Sequence, residues 1–238
     1  MNHSLSLHAQ RLRRLQSAGI YLVTSASLSA GRSTPDIVLA ALAGGIRLIQ
    51  LREKNMGGAE MFRLARTVRR LTREAGALLL INDRLDIALA VRADGVHLGQ
   101  SDLPVAAARR LAPDMLIGAS THSIAEARRA ERAGASYINI GPLFPTRSKD
   151  WTGDFLGMAG LRRIAAQARL PYTVMGGIKQ QHIPELRRAG VAAIALITAI
   201  TSAPDPGAAA QNLLRLAQSG PAAPDPGRRS GCKTNILI

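Results

Sequence analysis

The strongest constraint on the fold is a regular alternation of short apolar runs with stretches of helical periodicity. Eight apolar runs occur in order, at residues 20–25, 47–52, 77–83, 95–100, 115–121, 137–142, 172–177 and 193–198. They are short and rich in β-branched residues, as expected for parallel strands that are buried on both faces. The alternation therefore predicts a parallel α/β fold.

The segments between the runs carry helix signals. Pro35 opens one segment and Gly44-Gly45 closes it, while Ser123 with Glu126 three residues later forms a capping-box pattern. The predicted helices span 35–45, 58–76, 85–93, 104–112, 123–134, 155–168, 183–190 and 205–218, and an additional amphipathic helix at 4–18 precedes the first strand.

Eight strand–helix units are the number that closes a TIM-type barrel. The structural alternative is an open doubly wound sheet, which usually has fewer strands, and no G-x-G-x-x-G string follows a strand here. The sequence therefore favours a single (β/α)8 barrel with an extra N-terminal helix, forming one domain over residues 1–218. Residues 219–238 are rich in Pro and Gly and lack periodicity, which predicts a disordered tail.

The formal net charge is +15, which raises the question of a nucleic-acid or anionic-membrane partner. The arginines are spread in pairs over the helical segments, and aromatic residues make up only 3%, so stacking platforms for nucleic acid are missing. Small phosphorylated substrates are the favoured partners. A single cysteine, Cys232, and the lack of a long apolar segment lead us to expect a cytoplasmic protein without a membrane span. The oligomeric state stays open.

In a barrel, the polar residues at the carboxyl ends of the strands are the informative ones. After the second strand, alternation directs Gln50, Arg52 and Lys54 to one side and Leu51 and Glu53 to the other. Two cations and an amide suit a phosphate or diphosphate, although an ordinary solvated loop would look the same.

Asp83 and Asp102 end the third and fourth strands, where two neighbouring carboxylates can share a Mg²⁺ ion. Either residue could instead cap the helix that follows it. On the fourth strand, His97 is expected to be a packed, hydrogen-bonded histidine rather than a metal ligand. On the fifth, Ser120 and His122 suit phosphate binding and proton transfer, although helix capping explains them equally well.

Three later loops complete the predicted site. The long loop after the sixth strand carries Thr146, Ser148 and Lys149, and a loop of this length in a compact barrel is usually functional. Gly177 and Thr198 follow the seventh and eighth strands, where such barrels commonly bind phosphate; a tight turn is the alternative for the glycines. The sequence thus predicts two anion pockets that face each other.

Seven strings at successive strand ends resemble the thiamine phosphate synthase family: QLREK (50–54), NDR (82–84), ADGVHLGQSD (93–102), GAST (118–121), GPLFPTRSK (141–149), GGI (176–178) and ALITAI (195–200). The resemblance implies a Mg²⁺-dependent transferase of thiamine biosynthesis. Its reaction joins hydroxymethylpyrimidine diphosphate to a thiazole phosphate, or to the carboxylated form with loss of CO2, and releases pyrophosphate.

The resemblance also implies roles for individual residues. Those for pyrimidine diphosphate are Gln50, Leu51, Arg52, Glu53, Lys54, Asn82, Ser120 and Lys149, of which Arg52, Ser120 and Lys149 are catalytic. Those for thiazole phosphate are Thr146, Arg147, Ser148, Gly177, Ile197 and Thr198, and those for the metal are Asp83 and Asp102. The chain departs from the family pattern at Ser148, Thr198 and Met175.

Two alternatives remain at this point. A related thiazole tautomerase shares the barrel but does not need the full set of diphosphate and metal residues. A non-catalytic thiamine-pathway or nucleic-acid-binding protein would not need an intact polar site, so the retained residues argue against both.

Overall fold

A computed structural model describes residues 5–146 and 152–219. Its strands close into one parallel barrel in sequence order, with the last strand paired to the first. The strands are β1 Gly19–Val23, β2 Leu48–Leu51, β3 Leu78–Asn82, β4 Gly95–Leu98, β5 Leu116–Thr121, β6 Tyr137–Ile140, β7 Tyr172–Val174 and β8 Ala193–Leu196. The predicted (β/α)8 barrel is confirmed. The tail expected at 219–238 lies, from residue 220 onward, outside the described residues.

The helices surround this barrel. They are α1 Leu7–Gln16, α2 Thr34–Ala43, α3 Gly58–Glu74, α4 Leu85–Ala90, α5 Val105–Leu111, α6 Ile124–Arg132, α7 Gly157–Ala165, α8 Ile183–Arg188, α9 Thr198–Thr201 and α10 Pro206–Gln218. Ser123 caps α6 by accepting a hydrogen bond from the Glu126 N–H, as its pattern predicts. The short helix α9 was not predicted, because four residues are too few to show a helical period.

Alternation along the strands separates two apolar layers. One set of side chains fills the barrel interior, among them Tyr21, Leu48, Leu116 and Tyr137. The other set packs against the surrounding helices and includes Leu51. Because mainly apolar side chains fill the interior below its carboxyl end, the space for a polar ligand site lies at that end.

Helix α1 covers the opposite, amino-terminal end of the barrel. Leu15 is fully buried in the interior layer. Around it, Arg14 donates to the carbonyl of Gly76, and Arg11 lies 3.3 Å from the Asp94 carboxylate. Gly76 and Asp94 stand just before β3 and β4, so α1 closes this end and leaves the other end open.

Leu15→Ala should therefore lower the free energy of unfolding by about 3 kcal/mol, the usual cost of a cavity left by a buried leucine. Leu7→Ala is the matched control, since Leu7 lies on the same helix and is 50% exposed; its effect should stay within about 0.5 kcal/mol. Urea unfolding of both variants measures the difference. Equal stabilities would contradict the role of α1 as the floor of the barrel.

Among the described residues, no helix combines the length and apolarity needed to cross a bilayer.

Candidate active site

A cavity of about 780 Å³ opens at the carboxyl end of the barrel. This volume is within the range of small-molecule sites. The predicted site residues that line it are Gln50, Arg52, Lys54, Asn82, Asp83, Asp102, Ser120, Thr146, Gly177, Ile197 and Thr198. Arg147, Ser148 and Lys149 lie outside the described residues. The barrel thus brings eleven of the thirteen described residues that were predicted for the site into one cavity; Leu51 and Glu53 do not line it.

The exit of β2 follows the predicted alternation, with Gln50, Arg52 and Lys54 on the cavity side. Leu51 is buried in the layer beneath the helices. Glu53 turns toward the loop after β1, where its carboxylate accepts 2.8 Å hydrogen bonds from the hydroxyls of Thr24 and Thr34. Neither Leu51 nor Glu53 therefore contributes a side chain to the cavity.

Glu53 instead has a structural role, which is to hold the loop after β1 against the exit of β2. Its second carboxylate oxygen accepts a 2.8 Å hydrogen bond from the Ala26 N–H. Thr24, held by Glu53, accepts a 2.9 Å hydrogen bond from the Arg52 N–H. Glu53 therefore joins the loop after β1 to the strand exit that carries Arg52.

Asp83 and Asp102 do not cap helices. The N-cap residues of α4 and α5 are Arg84 and Pro104, and neither helix has a side-chain cap. The Asp83 carboxylate instead accepts a 2.7 Å hydrogen bond from Lys54 Nζ. The Asp102 carboxylate accepts a 2.6 Å hydrogen bond from the Gly99 N–H. The capping alternative is thereby excluded for both residues.

The two carboxyl groups also interact with each other. Burial raises the pKa of Asp102, and a hydrogen bond shared with Asp83 raises it further. Burial also acts to raise the pKa of Asp83, but hydrogen bonds from Lys54 and Asp102 outweigh it and leave that pKa lowered. As the pH falls, Asp102 therefore takes up a proton before Asp83 does.

The backbone of Asp83 is unusual. Its φ is +61°, a left-handed conformation that costs a non-glycine residue about 1 kcal/mol or more. The Asp83 N–H donates to the carbonyl of His97 at 2.8 Å, which holds this conformation in place. Strain of this kind clusters at functional sites, because there it aims a side chain.

The carboxylate pair fits Mg²⁺ better than a metal that needs a full protein cage. Within residues 5–146 and 152–219, no group of three or more His, Cys, Asp or Glu side chains could enclose a metal ion. Mg²⁺ usually binds through one or two carboxylates and completes its shell with water and substrate phosphates. Asp83 and Asp102 offer two carboxylates beside a cation-rich edge, which matches that requirement.

Ser120 on β5 and His122, just after the end of β5, line the cavity. The Ser120 hydroxyl lies 3.0 Å from His97 Nε2, and the Ser120 carbonyl accepts a 2.6 Å hydrogen bond from the Gln100 amide. His122 is held by Glu126, whose carboxylate lies 2.9 Å from its Nδ1. Neither residue caps α6, since Ser123 does so. His97 is buried and hydrogen-bonded, as predicted.

The loops after β6 and β7 form the opposite wall. Gly177 has φ +62°, and a Cβ atom there would lie 2.3 Å from the Pro145 carbonyl oxygen and 2.7 Å from the Phe144 carbonyl carbon. Only glycine therefore allows these two loops to approach each other. Thr198 begins α9, directly beyond β8 and Ile197.

Gly177→Ala should therefore raise the KM of the substrate that binds against these loops about tenfold or more, because even a small displacement of the binding groups weakens their contacts with the substrate. Gly76→Ala is the matched control: Gly76 has a similar φ of +59° at the closed end, and a Cβ atom there has no neighbour within 4 Å. The control should lose some stability but keep its KM. Unchanged kinetics in both variants would show that the close approach of the loops is not needed.

Asn139 is a cavity residue that the sequence did not single out. It is 2% exposed, and its amide donates a 2.9 Å hydrogen bond to the Thr173 hydroxyl. The available signal was an asparagine inside an otherwise apolar strand. A buried amide in an apolar strand needs a polar partner, and the Thr173 hydroxyl on β7 is that partner.

Comparison with known proteins agrees with this geometry. The sequence model of the family described as thiamine monophosphate synthase matches residues 20–200. Thiamine-phosphate synthase of Chloroflexus aurantiacus is 45% identical over 197 residues, which cover 83% of this chain and 91% of the relative. The corresponding protein of Moorella thermoacetica is 45% identical over 195 residues, or 82% and 93% of the two chains.

A solved structure extends the comparison to three dimensions. Thiamine phosphate pyrophosphorylase from Pyrococcus furiosus superposes with a TM-score of 0.78 at 37% identity, covering 86% of this chain and 98% of that one. Residues 20–200, which the family model matches, contain the barrel strands except for the first residue of β1. The chain therefore belongs to the thiamine monophosphate synthase family.

Proposed function

We propose that this chain is a thiamine phosphate synthase. The ring nitrogen of a thiazole phosphate attacks the methylene carbon of hydroxymethylpyrimidine diphosphate. The carbon–oxygen bond to the diphosphate breaks, and pyrophosphate leaves with the bonding electrons. The observation that carries the proposal is a single cavity with a cationic, carboxylate-bearing edge on one side and a glycine-lined wall on the other.

The diphosphate binds at the edge formed by β2, β3 and β5. Arg52 and Lys54 supply positive charge, and Asn82 and Ser120 supply neutral donors. Lys149 joins this group on the strength of the sequence resemblance. Negative charge grows on the bridging oxygen as the bond breaks, so fixed donors at this edge stabilise the transition state more than the bound substrate.

Asp83 and Asp102 hold Mg²⁺ in this proposal. When bound there, Mg²⁺ would supply positive charge beside the diphosphate. The Lys54–Asp83 contact of 2.7 Å keeps both groups at the same edge. Lys54 and the two carboxylates are thus placed to act on the same leaving group, Lys54 directly and the carboxylates through the metal ion.

The thiazole phosphate binds at the opposite wall. Gly177, Ile197 and Thr198 lie on the loops after β7 and β8, the usual phosphate-binding loops of such barrels. Thr146 lines the same side, and Arg147 and Ser148 follow it in the sequence. Binding both substrates at opposite walls of one cavity brings the nitrogen and the methylene carbon together, which supplies much of the rate enhancement.

The test is to incubate purified protein with both substrates and Mg²⁺ and to identify the product by mass spectrometry. Thiamine phosphate is the expected product. A tautomerase would instead rearrange the thiazole and leave the pyrimidine diphosphate intact, and that result would overturn the proposal. A cytoplasmic location is part of the same proposal, since a single cysteine suits a reducing compartment.

A further inference from the structure

A chain of polar side chains lies at the base of the cavity and includes three of its lining residues, Gln50, His97 and Ser120. It begins at Gln50 on β2, passes through Tyr21 on β1 and Tyr137 on β6 to His97 on β4, and ends at Ser120 on β5. The proposed reaction assigns no task to the two tyrosines or to His97. Polar groups of this kind in an apolar barrel are costly unless each of them is satisfied.

The contacts form one continuous path. The Gln50 amide nitrogen donates to the Tyr21 hydroxyl. The Tyr21 and Tyr137 hydroxyl oxygens are 3.3 Å apart, and the Tyr137 hydroxyl lies 3.0 Å from His97 Nδ1. His97 Nε2 lies 3.0 Å from the Ser120 hydroxyl. Both ring nitrogens of His97 therefore have a partner within the path.

The barrel is built to accommodate this path. Gly118 lies between His97 and Tyr137 in the strand register. A Cβ atom at Gly118 would lie 2.2 Å from the Tyr137 ring and 2.5 Å from His97 Nδ1. Because Gly118 has no side chain, His97 on β4 and Tyr137 on β6 can contact each other across β5.

The path also has a direction. Burial raises the pKa of both Tyr21 and Tyr137, so each hydroxyl keeps its single proton at neutral pH. Because Tyr21 accepts from the Gln50 amide, its proton is available to Tyr137. In this orientation the Tyr137 hydroxyl donates its hydrogen bond to His97 Nδ1, which acts as the acceptor. A neutral His97 that accepts at Nδ1 carries its proton on Nε2 and donates it to the Ser120 oxygen.

We propose that Gln50, Tyr21, Tyr137 and His97 form a one-way hydrogen-bond relay, which fixes His97 as the Nε2–H tautomer and presents the Ser120 hydroxyl to the cavity as a donor. Since the Ser120 oxygen already accepts from His97, its own proton is directed to a ligand. A hydroxyl donor of this kind suits an anionic phosphoryl oxygen. The identity of that anion as the diphosphate rests on the proposed function, whereas the relay itself does not.

Tyr137 is a positioning residue in this proposal, and the tautomer of His97 gives a direct readout. In ¹⁵N-histidine-labelled protein, ring nitrogen shifts distinguish the two tautomers. The chain has five histidines, and a His97→Asn variant assigns the signal of His97. We expect wild-type protein to carry the proton on Nε2.

Tyr137→Phe should move both His97 nitrogen shifts toward a mixture of tautomers and lower kcat roughly tenfold, because the Ser120 hydroxyl would then donate less consistently to the anionic ligand, and a hydrogen bond to a charged group contributes about that factor or more. Tyr172→Phe is the control, because Tyr172 is a half-buried tyrosine at the start of β7 whose hydroxyl donates to the Ala189 carbonyl and is not part of the path. The control should change neither the shifts nor kcat. Tyr21→Phe, which removes the donor to Tyr137, should give an intermediate shift.

Wild-type protein with the proton on Nδ1, or unchanged His97 shifts in both Tyr137→Phe and Tyr21→Phe, would overturn the relay. If Tyr137→Phe does not fold, the His97 tautomer of the wild-type protein and the His97 shifts of Tyr21→Phe still test the relay. An Nε2–H tautomer in a protein that makes no thiamine phosphate would refute the proposed function and support the relay. Thiamine phosphate formation by a protein in which His97 is protonated on Nδ1 would support the proposed function and refute the relay.

Discussion

Asp83→Asn is expected to lower kcat/KM by roughly a hundredfold or more and to raise the Mg²⁺ concentration needed for half-maximal activity, because even residues behind a metal ligand matter tenfold to a hundredfold. The amide keeps the size of the side chain but removes the charge that binds a cation. It also removes the anionic partner of Lys54 at 2.7 Å. Both losses act at the edge of the cavity where we propose that the diphosphate binds.

Asp86→Asn is the matched control for this variant. Asp86 lies three residues away and pairs with Arg84 at 2.6 Å, but its side chain is 62% exposed and does not line the cavity. Its activity and its Mg²⁺ dependence should match those of the wild type. A Mg²⁺ titration of all three proteins makes the comparison, and a wild-type titration curve for Asp83→Asn would remove the metal assignment.

Lys149→Ala should lower kcat roughly a hundredfold, as expected when one desolvated donor to a developing charge is lost, and should raise KM much less. The reason is that a cation beside the leaving group interacts most strongly after the bond has begun to break. Steady-state kinetics with each substrate varied in turn separate the two parameters.

Lys149→Arg distinguishes a point charge from general positive charge. The planar guanidinium cannot occupy the position of a compact ammonium, so only part of the rate should return. If Lys149 were an ordinary loop residue, both substitutions would be silent. A wild-type kcat in Lys149→Ala would therefore remove this residue from the mechanism.

Much of the fold could be predicted from the sequence, since the signals involved are local. A strand buried on both faces is apolar along its whole length, so all eight strands were recognised within a few residues of their ends. Alternation alone predicted that Gln50, Arg52 and Lys54 share one side, and all three line the cavity. Closure of the barrel followed from the number of units.

What the sequence could not provide depends on contacts between distant residues. From the sequence, Asp83 and Asp102 could each cap the helix that follows, and only the structure shows that the N-cap residues are Arg84 and Pro104 instead. Glu53 belongs to a string that resembles a binding motif, yet its partners on the first loop give it a structural role. No local pattern marks such partners.

The buried relay is the clearest case of this limit. Tyr21 and Tyr137 are 116 residues apart in the sequence, and each looks like an ordinary core residue within its own strand. Their contact exists because the barrel closes, and Gly118 leaves the space that the Tyr137 ring occupies. Neither condition is visible before the strands are arranged in three dimensions.

The most direct test of the central claim is the stoichiometry of a single reaction mixture that contains the protein, both phosphorylated substrates and Mg²⁺. Thiamine phosphate and pyrophosphate should appear in equal amounts, and leaving out either substrate or chelating the metal should abolish both. Pyrophosphate released without the thiazole phosphate, or no thiamine phosphate in the complete mixture, would contradict the account.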